Sequence, residues 1–492
     1  MAAGNVPRFS VQEVAIERPV SGNPFAEDVA LVVRRPDGEE RRVPAFYDGG
    51  DVWRVRLAPD VVGRWTARIE PADGIRRVSG LLEAPSGALE CVAGVDAKAR
   101  GGVEIVPDRP YHFRRQDGSP YFLMGYECDG LFALDMNFPD RRPMAGFLDT
   151  LARYGFNYLV VQAYAHDTDW RPGRSEPHDV GPPALFAWEG TNEKPDHTRL
   201  NLDYWRAYDR MVEGLHARSM TTQIMVKVYN KRVNWPDKGS PEDDLFWRYV
   251  VARYQAYDVV WNLTKEAWRD KDLAYWNDRA ALVRRWDAHR RLVCIHDWNV
   301  PEMDADFLTE QQHTHWHEHI LAERTRGRRP VVNIEYGYEQ GSTTTYGVVQ
   351  DADEVLRRTW LIVVAGGYPV YYFNPTAWDV IRWDEIPPGY ARMHVVREVM
   401  ESLPFADMEP HDELAEGAGC LAKPGEVYLL YAEKRGPVTL ALEGGGRFAV
   451  EWVDPRDGAW HAAGTVAGGH ATLAPPTGLA SADAVLIVRR TP

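Results

Sequence analysis

The chain has 492 residues, 45% hydrophobic and 26% charged, which is the composition of an ordinary globular protein of two to four domains. Its 57 Lys and Arg against 72 Asp and Glu give a formal net charge of −15, and such an acidic surface repels nucleic acid. No run of about 18 apolar residues occurs, which excludes a membrane-spanning helix.

The four cysteines, Cys91, Cys128, Cys294 and Cys420, lie far apart. Their spacing fits neither a zinc site nor a disulfide framework, and it indicates buried thiols in a reducing compartment. The first residues contain no basic cluster followed by an apolar core, so they do not resemble a secretory signal. We therefore expect a cytoplasmic protein, or a secreted or periplasmic one if a leader has been removed.

Residues 7–88 consist of short alternating segments separated by turn signals, such as ALVVRR before PDGEE and GRWTARIE before PADG. Period-two patterning with Pro, Asp and Gly every eight to twelve residues is typical of an all-β sandwich. The sequence therefore predicts an N-terminal β-sandwich, followed by a connector over residues 89–108.

From residue 109 to residue 403, apolar strands alternate with longer helical segments. The eight predicted strands are FLMGYE, NYLVV, TTQIMVKV, DVVWNL, LVCIH, QQHTHW, PVVNIE and YPVYYF. Asp203, Ser240 and Asp351 are placed to cap three of the helices. Eight strands over this length predict a (β/α)₈ barrel. A doubly wound sheet is the alternative, but the glycine-rich phosphate fingerprint of its nucleotide-binding versions is missing.

Residues 404–492 return to β signals in GEVYLLYAEKRGPVTLALEGGGRFAVEWVDPRDGAW, GHATLAPP and ADAVLIVRR. These segments predict a second sandwich. The expected fold class is thus α/β, with a TIM barrel flanked by two small all-β sandwich domains.

Two glutamates end apolar strands of the predicted barrel, Glu266 on the fourth strand and Glu335 on the seventh. Active sites of such barrels form at the carboxyl ends of the strands, and a buried carboxylate costs several kcal/mol unless it is paired or used. The chemistry that needs two carboxylates is glycosidic cleavage, in which one donates a proton and the other attacks or shields the sugar centre. The alternative for either residue alone is a structural ion pair with an arginine.

The order of the barrel elements, the segment W-N-x-x-x-E ending at Glu266 and the segment N-I-E-Y around Glu335 resemble the clan-A retaining glycoside hydrolases. The resemblance implies that Glu266 is the acid/base and Glu335 the nucleophile. More narrowly, the N-terminal β domain, HFRRQDGSPYFLMGYECDG and EWVDPRDGAW resemble bacterial proteins that combine a β-sandwich, an apiosidase-like barrel and a small C-terminal sandwich.

The chain departs from the resemblance at two points. Many clan members have Asn immediately before the acid/base, where it binds the sugar 2-hydroxyl, whereas this chain has Lys265. Apiosidase-like relatives use Asp at one catalytic position in some cases, so apiose is not carried over as the substrate. Glu339 is the alternative nucleophile if the seventh strand ends later than predicted.

Polar and aromatic residues at and beyond the strand ends are expected to contact the substrate: Glu127, Asp129, Gln162, Tyr164, His166, Lys227, Asn262, His296, Asp297, Trp298, His315, Tyr336, Asn374 and Trp378. Capping or loop hydrogen bonding is the alternative for Glu127 and Asp129, and core packing is the alternative for the aromatic rings.

Four histidines, His313, His315, His317 and His319, alternate along the predicted sixth strand. Alternate residues of a strand face one way, but a linear row does not supply a tetrahedral metal site. We therefore expect one or two of these imidazoles to form hydrogen bonds in the active site, and we expect neither a metal nor another cofactor.

The sequence predicts a retaining O-glycosidase that acts on an oligosaccharide or a polysaccharide side chain, with a carbohydrate as its partner and no nucleic acid or membrane. A long segment after the second strand, residues 171–201, favours exo action because it could wall off one end of the cleft. The alternatives are a non-catalytic carbohydrate-binding protein and a transglycosylase or lyase. The oligomeric state and the sugar stay open.

Overall fold

The structure is a computed structural model that describes residues 5–94, 99–138, 140, 142–166, 176–229, 231–341, 349–376 and 380–491. It contains a β-rich N-terminal region, a parallel barrel and a β-rich C-terminal region. Among the helices in these ranges, none combines the length and the apolar character that a membrane crossing requires.

The N-terminal region consists of two sheets packed over one apolar core, as predicted. Its strands are β1 (Asn5–Pro7), β2 (Gln12–Glu17), β3 (Ala30–Arg34), β4 (Glu40–Pro44), β5 (Phe46–Tyr47), β6 (Val52–Leu57), β7 (Gly63–Glu70), β8 (Arg77–Gly80) and β9 (Ser86–Val92). The sheet orders are β1-β9-β7-β3-β4 and β5-β6-β2-β8. Along β7, Trp65, Ala67 and Ile69 are buried and their neighbours are not, which is the period-two alternation expected of a strand with one buried face.

A hairpin of β10 (Val103–Val106) and β11 (Arg109–Arg115) leads into the barrel. The next strands are β12 (Gly125–Glu127), β13 (Tyr158–Gln162), β14 (Trp188–Gly190), β15 (Pro195–Leu200), β16 (Thr221–Val228), β17 (Val259–Lys265), β18 (Val293–Cys294), β19 (Leu308–Glu310), β20 (Val331–Asn333) and β21 (Tyr368–Tyr371). Eight of them form one parallel sheet in the order β18-β17-β16-β13-β12-β21-β20-β19, and β14 and β15 form a separate hairpin. A parallel bridge between His296 and Thr309 joins its two edges and closes the barrel.

The helices of the described residues are α1 (Leu131–Asn137), α2 (Arg142–Arg153), α3 (Leu202–His216), α4 (Pro241–Tyr254), α5 (Leu273–Trp286), α6 (Trp316–Gly327), α7 (Ala352–Val364) and α8 (Pro388–Glu401). Ser240 and Asp351 cap α4 and α7 as predicted, since their side chains accept from backbone N–H groups at 3.1 and 2.9 Å. The predicted cap of α3 was wrong by two residues: Asn201 caps the helix, and Asp203 lies within its first turn.

The sixth barrel strand lies just before its predicted position. It spans Leu308–Glu310 rather than QQHTHW, because the apolar side chains that a buried strand needs, Phe307 and Leu308, precede that polar segment. As a result, His313 and His315 follow the strand and His317 and His319 lie on α6. The four imidazoles therefore do not form a row on one strand.

The C-terminal region is a seven-stranded antiparallel sheet that packs on the barrel through α7. Its strands are β22 (Glu409–Pro410), β23 (Ala415–Glu416), β24 (Gly419–Lys423), β25 (Val427–Ala432), β26 (Val438–Val453), β27 (Trp460–Leu473) and β28 (Ala484–Arg490). Trp360 of α7 stacks on Tyr431 of β25 with ring centroids 6.1 Å apart. The structure thus confirms the predicted fold class of a TIM barrel with β-rich flanking domains.

Candidate active site

The carboxyl ends of three barrel strands meet at the ammonium group of Lys265. Lys265 ends β17, and its Nζ lies 3.0 Å from Glu335 Oε1, which follows β20. The same Nζ lies 2.9 Å from Asp129 Oδ2 and donates to Glu127 Oε1 at the end of β12. All four residues are at most 3% exposed. The barrel therefore concentrates three carboxylates and one cation at the end where such folds carry their active sites.

Glu335 is the carboxylate with the largest number of donors in this cluster. Its Oε2 accepts from Gln311 Nε2 at 2.8 Å and from the hydroxyl of Tyr338, and its Oε1 faces Lys265. Burial raises the pKa of a carboxyl group, but here the charges of Lys265 and His296 and the Tyr338 hydrogen bond outweigh it and lower the pKa of Glu335 to about 2. Glu335 is ionised at neutral pH, as a nucleophile must be.

Glu127 has the opposite character. Burial and the charge of Glu335 raise the pKa of Glu127 well above its usual value, although Lys265 opposes the shift. Lys265 therefore places one positive charge among three carboxyl groups, of which Glu335 has a lowered and Glu127 a raised pKa. Because the ammonium already occupies the centre of the carboxylates, the cluster is not a cation site.

Glu266 directly follows Lys265 and is 9% exposed. Its backbone is left-handed, with φ 50° and ψ 52°, which interrupts the alternation of β17. Consecutive strand residues point to opposite faces, so this turn allows two adjacent charged side chains to serve the same end of the barrel. The Glu266 carboxylate pairs with Arg269, whose side chain is half-exposed.

His296 and Asp297 lie at the end of the fifth strand beside both glutamates. Burial lowers the pKa of His296 to about 4, although the charges of Glu335 and Glu266 oppose this shift. The Nε2 atom of His296 is 3.7 Å from Glu335 Oε1. Asp297 Oδ1 accepts from the backbone N–H of Gln311 at 3.1 Å. Burial, together with the charges of Glu335, Glu310 and Glu266, raises the pKa of Asp297 to about 7. Trp298 follows, half-buried at the edge of the core.

Gln162 ends β13 and Asn262 lies within β17, on either side of β16, and both are almost fully buried. Within the described part of the chain, Gln162 Nε2 and both amide atoms of Asn262 lack a hydrogen-bond partner. A buried polar group without a partner costs about 1–3 kcal/mol, so these amides are suited to a polar ligand that enters the barrel end.

Two of the residues that were predicted to contact the substrate pack between the barrel strands and the helices. Lys227 is fully buried with its Nζ 2.7 Å from Asp243 Oδ1 of α4, and Tyr336 donates or accepts at 2.7 Å with Thr359 Oγ1 of α7. These contacts tie β16 and the segment after β20 to their helices. Lys227 and Tyr336 thus have partners on the helices, and their contact with a substrate stays a prediction.

The remaining predicted residues are spread around the barrel end. Tyr164 packs edge-to-face on Trp188 and Tyr204 in a buried aromatic cluster. His166 is half-buried beside Phe186, with ring centroids 6.2 Å apart. His315 is exposed at the start of α6, Asn374 is half-buried after β21, and Trp378 lies outside the described residues.

Glu339, the alternative nucleophile, does not join the Lys265 cluster. Its carboxylate accepts from Tyr371 Oη and from the backbone N–H of Gly389 at 3.4 Å. Burial raises the pKa of Glu339. Glu339 therefore links β21 to α8, which favours Glu335 over Glu339 for a reaction that needs an ionised carboxylate.

Three residues of the cluster were missing from the predicted site, namely Lys265, Gln311 and Tyr338. Lys265 had a signal, because a lysine that ends the apolar run VVWNLT must find carboxylates when it is buried. Gln311 was missed because its strand was placed three residues too late. For Tyr338, three residues beyond Glu335, the sequence offers no signal.

Comparisons with known proteins agree with this architecture. The catalytic domain of the apiosidase-like family matches residues 108–407, and a domain of unknown function, DUF5060, matches residues 5–71. No curated protein matches the chain.

Solved structures show the same fold. A candidate glycoside hydrolase from Bacteroides vulgatus is 18% identical with a TM-score of 0.80, and the match covers 99% of this chain and all of that one. A glycoside hydrolase family 5 protein from the same organism is 16% identical with a TM-score of 0.64, over 80% of this chain and 93% of its own. The family match covers well over half of the sequence and confirms the prediction of a glycosidase. The chain belongs to the apiosidase-like family through its catalytic domain.

Proposed function

We propose that this protein is a retaining O-glycoside hydrolase that removes a sugar from an oligosaccharide or a polysaccharide side chain by double displacement. Glu335 is the nucleophile and Glu266 the acid/base. The observation that carries the proposal is the ionised, buried Glu335 at the end of the seventh strand, beside the end of the fourth strand that carries Glu266.

In the first step, Glu335 attacks the anomeric carbon and the bond from that carbon to the leaving oxygen breaks. Glu266, protonated for this step, gives its proton to the leaving oxygen. The donors on Glu335, namely Gln311, Tyr338 and Lys265, orient the carboxylate, and the negative charge of Glu335 favours the oxocarbenium-like transition state.

In the second step, water attacks the anomeric carbon of the glycosyl-enzyme ester. Glu266 takes the proton of that water, and the carboxylate of Glu335 departs. Two inversions at the same carbon give net retention. Arg269 must release Glu266 when Glu266 acts as an acid, and its half-exposed side chain has room to move into solvent.

The substrate contacts proposed here are the polar groups around the cluster. Asp129 contacts Lys265 beside Glu335, and Asp297 is close enough to Glu335 to sense its charge. Gln162 and Asn262 are buried amides suited to sugar hydroxyls, and Trp298 offers a ring for the apolar face of a sugar. The substrate is found with a panel of aryl glycosides and plant or bacterial polysaccharides, with an apioside included because of the family name.

The first prediction concerns the two glutamates. Glu266→Gln lowers kcat by about 10²–10⁴-fold because the proton transfer is lost, and Glu335→Gln lowers it at least as much because an amide does not attack. Azide restores turnover of Glu335→Gly by taking the place of the missing carboxylate. The measurement is steady-state kinetics on the best panel substrate.

The matched control is Glu339→Gln, a buried glutamate four residues along that keeps its Tyr371 hydrogen bond as an amide. Its activity stays close to that of the parent chain. An active Glu335→Ala enzyme, or a loss of activity in Glu339→Gln as large as in Glu335→Gln, would contradict the assignment.

A further inference from the structure

A second group of ionisable side chains lies behind the sixth strand, between β19 and α6. It consists of Glu310 at the end of β19 and of His319 and Glu323 on α6. His319 Nε2 is 2.7 Å from Glu310 Oε2 and 4.0 Å from Glu323 Oε1, and one donor atom from each residue lies within 4.8 Å of the other two. His319 and Glu323 are four residues apart, so they share one face of the helix.

Glu310 is the unusual member of this group. It is only 3% exposed, and among the described residues no hydrogen-bond donor reaches its Oε1. A buried carboxylate oxygen without a donor is costly, and Oε2, which lies 2.7 Å from His319 Nε2, has no hydrogen-bond partner among these residues either. Glu310 therefore presents an unsatisfied anionic atom to the space that it shares with His319 and Glu323.

The second oxygen of Glu323 is already engaged. Arg326 donates to Glu323 Oε2 and also to the backbone carbonyl of Asn299, at 2.9 Å, which fixes the carboxylate and leaves Oε1 directed at the group. The side chain of His319 is 34% exposed, so the group has a route to solvent.

We propose that Glu310, His319 and Glu323 form a binding site for one divalent transition-metal ion of the Zn²⁺ type. One imidazole and two carboxylates, with no thiolate, are a donor set that such ions accept, and the exposed side leaves a fourth position to water. Small side-chain adjustments bring the three donors to metal–ligand distances of about 2.0–2.2 Å.

The position of the site gives it a structural role. Glu310 is followed by Gln311, whose side chain donates to Glu335 and whose backbone N–H donates to Asp297. An ion that binds Glu310 to α6 fixes the end of β19 and with it the orientation of Gln311. The site is separate from the Lys265 cluster and does not depend on the proposed function.

The test titrates Zn²⁺ into the full-length chain after removal of metals with a chelator. Isothermal titration calorimetry and metal analysis of the dialysed protein give one tight site per chain, and Zn²⁺ raises the melting temperature. Glu310→Gln and His319→Gln each lower the affinity at least tenfold. His319 is partly exposed, so that variant is expected to fold, which circular dichroism without metal verifies.

The matched control is His394→Gln. His394 on α8 pairs with Glu398 at the same four-residue spacing, 3.3 Å apart, and both side chains are exposed. This variant keeps the tight site. A parent chain that binds no Zn²⁺ at micromolar concentration, or equal affinities in the parent chain and His319→Gln, would overturn the proposal. Either result would leave the assignment of Glu266 and Glu335 untouched.

Discussion

At the scale of single residues, Lys265 determines the charge state of the site. One buried ammonium contacts Glu127, Asp129 and Glu335 and lowers the pKa of Glu335, while burial and the charge of Glu335 raise the pKa of Glu127. In the resemblance this position is an Asn that binds the sugar 2-hydroxyl, whereas the lysine of this chain has an electrostatic role. Lys265 is thus a positioning residue that acts through Glu335.

Replacing Lys265 tests this role. In Lys265→Met, the ammonium that lowers the pKa of Glu335 is gone, while burial and the neighbouring carboxylates still raise it. The pKa of Glu335 therefore rises by about 1–3 units. The acidic limb of the kcat/KM profile moves to higher pH by that amount. Lys265→Arg restores most of the shift because the charge returns. If the limb stays in place in a folded Lys265→Met enzyme, Lys265 does not tune the nucleophile.

The raised pKa of Asp297 predicts how the stability of the chain depends on pH. Its pKa is raised to about 7 in the folded chain, mainly by burial, so the folded state holds a proton that the unfolded state has lost. The bound proton on Asp297 therefore stabilises the folded state below about pH 4, and this stabilisation is lost as the pH rises towards 7. Asp297→Asn cannot ionise, so it raises the melting temperature more at pH 8 than at pH 4.5. Equal shifts at the two pH values would contradict the raised pKa.

At the scale of secondary-structure elements, residues at the ends of the barrel strands form the candidate site. The sequence predicts such an end where an apolar run stops at a charged residue. Glu335 and Glu266 were found in this way. The alternation of a strand directs Tyr336 away from its neighbour Glu335 and towards α7, where its hydroxyl contacts Thr359. The left-handed backbone of Glu266 is not visible in the sequence pattern. Nor is the pairing of its carboxylate with Arg269, in the segment before α5.

The sixth strand shows a different limit. Its three residues carry too few side chains for a periodic signal, and the polar segment after it imitates an alternating strand. Gln311 and the histidines were therefore assigned to the wrong element. The pairing of β19 with β20 and the bridge from Thr309 to His296 define its register.

The junction between the N-terminal sheets and the barrel depends on Asp209 of α3. Asp209 pairs with Arg56 of β6 at 2.6 Å and with Arg253 of α4 at 2.7 Å, and all three are buried. Asp209→Asn leaves Arg56 with only Glu13 at 3.2 Å and Arg253 with only Asp48 at 3.5 Å as carboxylate partners, and it lowers the free energy of unfolding by up to about 3–5 kcal/mol. Urea denaturation measures this change.

The control for Asp209 is Glu40→Gln, which removes an exposed ion pair with Arg68 at 3.0 Å. Exposed pairs contribute about 0–1 kcal/mol, so this variant changes stability little. A similar loss in both variants would show that the buried position of Asp209 is unimportant.

At the scale of the whole molecule, the class of fold could be predicted because strand alternation and helical spacing repeat over many residues. Eight parallel strands and two β-rich flanking regions followed from alternation and spacing alone. The contacts between regions could not be predicted in this way. His317 on α6, for example, reaches Asp412 of the C-terminal region at 2.7 Å, a partner 95 residues away.

All four cysteines are buried free thiols, spread over the three regions. Burial raises the pKa of each thiol, so the reactive thiolate is scarce and shielded. We expect a thiol-specific reagent to modify none of them in the native protein and all four in denaturant, and reductant to leave the melting temperature unchanged. Rapid labelling of the native chain would show that a region opens.

The central claim is that Glu335 attacks the sugar, and covalent trapping tests it most directly. The parent chain is treated with an activated 2-fluoro glycoside of the sugar identified by the panel, which slows breakdown of the glycosyl-enzyme. Peptide mass spectrometry then locates the adduct, with fragmentation that separates Glu335 from Glu339. The account predicts one adduct, on Glu335, and none in Glu335→Gln. An adduct on Glu339 or another residue, or inactivation without an adduct, would contradict it.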